Sequence, residues 1–269
     1  MSERLKVKIL GLSCAVRSAR NTAWIVLYAL KAAEKFGKRV KELVEIETEF
    51  LDLSHKEIRQ CCGQQLSCLP NKGVPWKGTE VRRDFGCVIK NDYMSQLWPK
   101  IEEADGLIFG SPVHQHSYTS KFRLLMERLY PWKGDFVNKP AGIITTAFAG
   151  PPFGGCESAL REMATQAIAV EMVVAASGTA ISGPPYGPSN AEEDGRALGV
   201  KKDQTGKELA TIVGRRVAEF ATMFKLAKHE LGALYEREFF HYLHPPHAEW
   251  PWAWYRLDKE EEEYMRSLP

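Results

Sequence analysis

Hydrophobic and polar positions along this chain alternate in blocks that predict strands and helices in turn. Five apolar or alternating segments predict strands, at residues 5–12, 44–53, 104–112, 141–148 and 172–181. Apolar residues spaced by three and four predict helices at residues 21–36, 92–103, 120–129, 157–169 and 208–234. Because each predicted strand is followed by a helix, we expect one α/β domain with a parallel, doubly wound sheet.

Two segments depart from this alternation. Residues 182–206 are rich in glycine, proline and polar residues, and we expect them to form a long surface loop. Residues 235–269 are dense in aromatic residues, histidine and proline, without a strand or helix period until the acidic end. We therefore predict a domain over residues 1–234 and a C-terminal arm over residues 235–269, packing on the domain or on a neighbouring subunit.

Composition and charge narrow the class of protein. The 269 residues are 44% hydrophobic and 26% charged, with a formal net charge of +2. These values are ordinary for a soluble globular protein and give no global reason to expect a nucleic acid or a membrane as partner. The chain has no apolar run of roughly 18 residues and no N-terminal pattern of a secretory signal. We therefore expect a cytoplasmic protein.

Three loops follow predicted strands at the edge where doubly wound sheets bind ligands. The first, residues 13–22, carries hydroxyl, amide and guanidinium groups beside a predicted helix start, which suits a phosphate dianion. It matches neither a Walker A loop nor a G-x-G-x-x-G fingerprint, so ATP and a Rossmann-bound dinucleotide lose support. A plain polar turn with an Asn or Ser helix cap is the alternative. The candidate phosphate ligands are Ser13, Arg17, Ser18, Arg20, Asn21 and Thr22.

Several motifs together resemble a known family. N-T-A at 21–23, E-A-D-G-L-I-F-G-S-P-V at 103–113, T-T-A at 145–147 and G-G-C-E-S at 154–158 are similar to the flavodoxin-like NAD(P)H-dependent FMN reductases and iron–sulfur flavoproteins. The resemblance covers roughly residues 5–230 and implies a five-stranded parallel sheet of order 2-1-3-4-5 that holds FMN. It places Ser13, Arg17, Asn21 and Thr22 at the FMN phosphate. The residues that it implies beside the flavin ring are Pro112, Val113, His114, Gln115, Thr145, Thr146, Ala147 and Gly150.

Two histidines fall in the second loop. His114 occupies a ring-side position, where histidine could donate a hydrogen bond to the flavin or a proton to a reduced substrate, so it is our candidate catalytic residue. The alternative is a surface histidine without a role, and we favour that interpretation for His116.

Four cysteines, Cys61, Cys62, Cys68 and Cys87, lie between the second predicted strand and the next helix, in what we call the cysteine segment, residues 61–87. In a reducing compartment, clustered cysteines are more often ligands or redox groups than disulfides. Their place in the chain is similar to that of the cluster cysteines of iron–sulfur flavoproteins, so the resemblance implies a [4Fe–4S] cluster. Because Cys61 and Cys62 are adjacent and 18 residues separate Cys68 from Cys87, free thiols are an equal alternative. Another metal, such as zinc, also stays open.

The remaining two cysteines, Cys14 and Cys156, fall in the loops implied to hold flavin. A free cysteine commonly behaves as a small hydrophobic residue, so we expect both to be packing residues.

These observations predict an FMN-dependent oxidoreductase. It would take electrons from NAD(P)H, or from a protein such as ferredoxin if a cluster is present, and pass them to a quinone, another flavin or a protein. The first alternative is an iron–sulfur flavoprotein that carries electrons. The second is a flavodoxin-like binding or assembly subunit without flavin. The resemblance also implies a homodimer or homotetramer.

Overall fold

Five parallel strands form the centre of the molecule. The structure is a computed structural model, and it describes residues 4–63, 87, 89–129, 136–149, 154–183, 198–235 and 267. The strand order is β2-β1-β3-β4-β5, which confirms the predicted flavodoxin-like, doubly wound sheet. The strands are β1 (Leu5–Ser13), β2 (Val44–Asp52), β3 (Gly106–Pro112), β4 (Pro140–Ala147) and β5 (Val173–Ile181).

Helices cover both faces of the sheet. They are α1 (Asn21–Arg39), α2 (Met94–Glu103), α3 (Ser120–Leu129), α4 (Cys156–Ala169), α5 (Gln204–Leu231) and the short α6 (Ala233–Tyr235). Apolar residues of α1 and α5 pack on one face, and those of α2, α3 and α4 pack on the other. Successive side chains of β3 enter opposite cores: Leu107 and Phe109 join the second group of helices, and Ile108 joins the first. Since both faces are covered, β3 is a continuous apolar run.

The segment before α5 corrects one prediction. Residues 198–206 were expected on the surface, yet Val200 is fully buried against α1 and α5. Asp203 is also buried, and its carboxylate accepts hydrogen bonds from the backbone N–H groups of Gly206 (2.9 Å) and Ile181 (2.7 Å). The carboxylate thus caps α5 and ties its start to β5, so the helix begins at Gln204 instead of residue 208. Residues 184–197 of the predicted loop lie outside the described residues.

Two further expectations, on membrane-spanning helices and on the C-terminal arm, can be compared only with the described residues. None of the helices in the described ranges is long and apolar enough to cross a membrane. Of the predicted C-terminal arm, only Tyr235 and Ser267 are described, so its packing stays a prediction.

Candidate functional site

The three predicted loops meet at the carboxyl edge of the sheet. The backbone N–H of Cys14, just after β1, donates to the carbonyl of Gly110 at 2.7 Å. The hydroxyl oxygens of Thr22 and Thr146 lie 2.6 Å apart, and the N–H of Val113 donates to the carbonyl of Thr146 at 2.8 Å. These bonds join the first loop to β3, α1 to β4, and the end of β3 to β4. The structure therefore brings the predicted phosphate and ring-side loops together.

The N-terminus of α1 has no capping side chain. Its N-cap residue is Arg20, whose side chain has no acceptor, and the first turn has no acidic residue. The alternative interpretation, an Asn or Ser helix cap, is not what the structure has: Asn21 lies inside the helix, where its amide oxygen accepts from the N–H of Val200 at 3.4 Å. The first N–H groups of a helix have no intrahelical partner, and the dipole favours a negative charge there. With Arg17 exposed and Arg20 half-buried beside it, this terminus suits an anion.

Asp52, at the end of β2, shapes the first loop and was missed in the sequence. Its carboxylate accepts from the hydroxyl of Ser18 at 3.2 Å, the N–H of Ala19 at 2.9 Å and the N–H of Ser54 at 3.0 Å. Ala19 has a φ of 52°, so this carboxylate helps to hold a left-handed residue. Asp52 also stands at the end of a strand, where ligand-binding loops are expected, so the same rule could have identified it from the sequence. Because Ser18 is engaged with Asp52, the arginines and the helix amides are the better phosphate donors.

The side chain of Ser13 is an orphaned buried polar group at this edge of the sheet. Its side chain is fully buried at the end of β1, and its Oγ has no hydrogen-bond partner within the described ranges. A buried hydroxyl without a partner is costly and calls for an explanation. Thr22 and Thr146, which are also buried, bond each other and so tie two loops together. The orphaned hydroxyl and the uncapped α1 terminus together fit the phosphate of FMN.

The loop after β3 forms a tight turn that we call the ring-side turn, residues 114–117. The N–H of His114 donates to the carbonyl of Ser117 at 2.9 Å, and the reverse bond measures 3.1 Å. Gln115 and His116 have φ values of 50° and 61°, so this is a type I′ turn without glycine. A non-glycine residue in the left-handed region costs on the order of 1–3 kcal/mol. His114, Gln115 and His116 are exposed, and Pro112 and Val113 before them are half-buried.

The loop after β4 completes the edge. Thr145 and Ala147 are buried, and the carbonyl of Ala147 accepts from the N–H of Ser182 at 2.8 Å. Gly150 lies outside the described residues, so its predicted contact with the flavin stays a prediction.

Cys14 and Cys156 lie at this edge as buried thiols. Cys14 is fully buried, and burial raises the pKa of its thiol to about 12. Cys156 begins α4, and burial raises the pKa of its thiol too. Both thiols stay protonated near neutral pH, which agrees with packing roles and excludes them as thiolate nucleophiles.

The cysteine segment is described only at its two ends. Cys61 is half-buried, Cys62 is exposed and Cys87 is buried, and all three are free thiols. Cys68 lies outside the described residues. Among the residues whose placement is described, no three His, Cys, Asp or Glu side chains gather as a metal site. The described cysteines therefore do not by themselves fit a cluster, and the four-cysteine prediction depends on Cys68.

A buried ion pair holds the residues that flank this segment, and no local sequence pattern indicated it. Arg128 on α3 and Asp92 before α2 are both fully buried, with Nη1 2.5 Å from Oδ2. Arg128 also donates to the carbonyls of Arg59 (3.1 Å) and Ile89 (2.9 Å), which flank the cysteine segment. Burial opposes the charge of Arg128, but the hydrogen bond and the charge of Asp92 are among the causes that outweigh it and raise the pKa of the guanidinium. From the sequence, an arginine between the apolar positions of α3 is predicted to be exposed, because arginine is rarely buried without a charge partner. The partner, Asp92, is known only from the structure.

Comparison with known proteins agrees with this fold. Residues 7–184 match the model of the NADPH-dependent FMN reductase family. An iron–sulfur flavoprotein of Methanocaldococcus jannaschii is 28% identical over 222 residues, which cover 81% of this chain and 100% of that protein. An iron–sulfur flavoprotein of Methanosarcina thermophila is 26% identical over 77% of this chain and 95% of its own length.

A solved structure shares the fold. The crystal structure of RosB with bound 8-demethyl-8-formylriboflavin-5′-phosphate superposes with a TM-score of 0.57 at 18% identity. The superposition covers 86% of this chain and 87% of RosB. The family model spans more than half of the sequence and includes all three loops of the site. The chain therefore belongs to the NADPH-dependent FMN reductase family and is an FMN-dependent oxidoreductase of flavodoxin-like fold.

Proposed function

We propose that this protein binds FMN at the carboxyl edge of its sheet and passes electrons from NAD(P)H to a quinone or another flavin. One observation carries the site assignment: the orphaned hydroxyl of Ser13 and the uncapped N-terminus of α1 stand at the two ends of the loop that the family motif implies for phosphate. A helix terminus with unpaired N–H groups favours a dianion, and a buried hydroxyl gains a partner when one binds.

The phosphate ligands follow from this arrangement. We propose that Arg17 and Arg20 meet the phosphate, with the N–H groups of Asn21 and Thr22 and the hydroxyl of Ser13. Arginine suits this role because its planar guanidinium donates two parallel hydrogen bonds to phosphate oxygens. The Thr22 hydroxyl is committed to Thr146, so the backbone of Thr22 is its better ligand.

The ring-side turn and the end of β4 form the other half of the site. FMN, when bound, supplies hydride or single-electron transfer, and the protein supplies orientation, hydrogen bonds and access. His114 at the first position of the turn is exposed, and an imidazole N–H can donate a hydrogen bond or a proton. We therefore propose that His114 donates a proton to the reduced acceptor or a hydrogen bond to the flavin.

Flavin content tests the phosphate assignment. Arg17→Ala with Arg20→Ala should lower FMN affinity about tenfold or more, since a hydrogen bond to a charged group contributes about 1.5–3 kcal/mol. Arg39→Ala, an exposed arginine at the other end of α1, is the matched control. Fluorescence titration of the apoprotein with FMN measures the effect. Normal flavin occupancy in the double variant would refute the assignment.

Electron donors are tested on the same preparation. Anaerobic mixing of the flavin-loaded protein with NADPH or NADH should bleach the flavin absorption, and reoxidation by a quinone should restore it. A flavin that neither nicotinamide reduces would contradict the proposed donor and favour a protein donor such as ferredoxin.

A second candidate is an iron–sulfur flavoprotein that carries electrons between proteins. The similarity to two iron–sulfur flavoproteins favours it, and Arg128 binds the carbonyls of Arg59 and Ile89, which flank the cysteine segment. An absorption spectrum with iron and sulfide analysis of anaerobically purified protein separates the candidates. Broad visible absorption with iron and sulfide supports the carrier, and flavin bands alone support the reductase.

The oligomeric state is a separate proposal. We propose a homodimer or homotetramer with the C-terminal arm at the interface. Light scattering of the full chain and of a chain ending at Tyr235 tests it, and a full-length monomer would refute it.

A further inference from the structure

We infer that Glu162 and Gly155 are positioning residues that hold the ring-side turn in its left-handed conformation and thereby set the reduction potential of the flavin. The inference rests on the proposed function, because it requires FMN beside that turn. Glu162 lies outside the motifs from which the site was predicted, and Gly155 lies in one of them, G-G-C-E-S at 154–158, without a predicted role.

The turn cannot owe its conformation to its own residues. A type I′ turn needs a positive φ at both central positions, which glycine, asparagine and aspartate favour. Here the positions hold Gln115 and His116, with φ values of 50° and 61°. Strained residues of this kind persist only where the surrounding structure holds them, and they concentrate at functional sites.

Glu162 holds the last residue of the turn. It projects from α4, and its Oε2 accepts a short hydrogen bond from the hydroxyl of Ser117. Both side chains are half-buried, so water competes less for this bond than it would on an open surface. A hydrogen bond from a hydroxyl to a carboxylate is stronger than one to a neutral acceptor. The bond therefore fixes the exit of the turn to a rigid helix.

Gly155 supports the turn from the same side. It precedes α4 with a φ of 64°, and its backbone packs directly against His116. A Cβ built at Gly155 would lie 2.6 Å from the Cα of His116 and 2.9 Å from its Nδ1. A side chain at position 155 would therefore push the turn away from α4, besides being strained itself.

Glu162 on α4 and Gly155 just before it act together with the hydrogen bond from the N–H of Val113 to the carbonyl of Thr146. The turn is held before its first residue by β4 and at its third and fourth residues by α4. Protein groups near a flavin tune its electronics through hydrogen bonds and charge. A turn that cannot shift presents the same groups to oxidised and reduced FMN, and loosening it changes how strongly each form is bound.

The test compares Glu162→Ala, Glu162→Gln and Gly155→Ala with the wild type. The matched control is Glu157→Ala, an exposed acid in the first turn of the same helix. The measurements are the FMN dissociation constant by fluorescence and the flavin reduction potential by dye equilibration. We expect Glu162→Ala and Gly155→Ala to bind oxidised and reduced FMN with losses that differ about tenfold, a potential shift of about 30 mV. Glu162→Gln keeps an acceptor for Ser117 and should stay near the wild type, as should Glu157→Ala.

Two outcomes would overturn the inference. One is an unchanged potential in both Glu162→Ala and Gly155→Ala. The other is an equal change in Glu162→Ala and Glu162→Gln, because that would show a carboxylate effect without positioning. Wild-type protein that binds no FMN would instead refute the proposed function, so the two failures are told apart by the wild type alone.

Discussion

Replacing Arg128 by methionine should lower the free energy of unfolding by about 3–5 kcal/mol, because it leaves the carboxylate of Asp92 buried without its charge partner. Both side chains are fully buried, and the guanidinium contacts the carboxylate through two nitrogens, at 2.5 and 3.3 Å. The carbonyls of Arg59 and Ile89 lose their donor as well. Methionine has a similar length and fills most of the space, so the change is mainly one of charge and hydrogen bonding.

The remaining hydrogen bonds of Asp92 limit the loss of unfolding free energy that is expected in Arg128→Met. Asp92 keeps hydrogen bonds from the N–H groups of Arg59 (2.9 Å) and Met94 (3.1 Å), so it is not left without partners. A variant that also carries Asp92→Asn has no unpaired charge. Its amide has one acceptor oxygen, so it loses one of the bonds from the N–H groups of Arg59 and Met94 in addition to the two carbonyl bonds. Since leaving a buried polar group unpaired costs about 1–3 kcal/mol, the double variant should recover a substantial part of the stability.

Urea unfolding followed by circular dichroism at neutral pH measures these differences. The control is Arg123→Met, on the exposed face of α3, where the ion pair with Glu127 should contribute less than about 1 kcal/mol. A loss below about 1 kcal/mol in Arg128→Met would refute the argument, given the penalty for an unpaired buried charge. So would a double variant that is less stable than the single one.

Three further predictions concern other parts of the fold. Gly214→Ala should lower the free energy of unfolding, measured in urea, by about 1–3 kcal/mol or more. The added Cβ would lie 1.9 Å from the carbonyl oxygen of Ala29, where α5 crosses α1. A variant as stable as the wild type would contradict that close approach. Asp203→Ala should cost about 2–4 kcal/mol, since it removes the cap of α5 and the acceptor of the Ile181 N–H, while Asp203→Asn should cost less. Burial raises the pKa of Cys14 to about 12 from the ordinary 9.0. Between these two values the thiol of the unfolded chain ionises while that of the folded chain stays neutral, so the free energy of unfolding falls by about 1.4 kcal/mol per pH unit. Cys14→Ala should flatten that part of the pH profile of unfolding, and an unchanged slope would show that another group causes it.

Flavin affinity and reduction potential form a second set of predictions, and both depend on the same edge of the sheet. The pair Arg17 and Arg20 is expected to control FMN affinity, and Glu162 with Gly155 is expected to control the potential. The first effect comes from lost charge and the second from a displaced turn, so they should separate experimentally.

The sequence by itself determined the strands and helices, the sheet order through family resemblance, and the loops that meet at the candidate site. The period of apolar positions is a local property, so β3 and α3 were located to within two residues. The rule that ligands bind at the carboxyl ends of parallel strands then identified the loops at Ser13, Pro112 and Thr145. Position along the chain alone was enough for these conclusions.

Only the tertiary structure decided which polar side chains face each other. Arg128 and Asp92 are 36 residues apart, and Ser117 and Glu162 are 45 apart. No local period encodes such pairs, because a charged residue is stable in the interior only when a distant partner reaches it. The same reason explains Asp203: its polarity indicated a surface loop, and its burial became favourable only through the N–H groups that α5 and β5 direct at it.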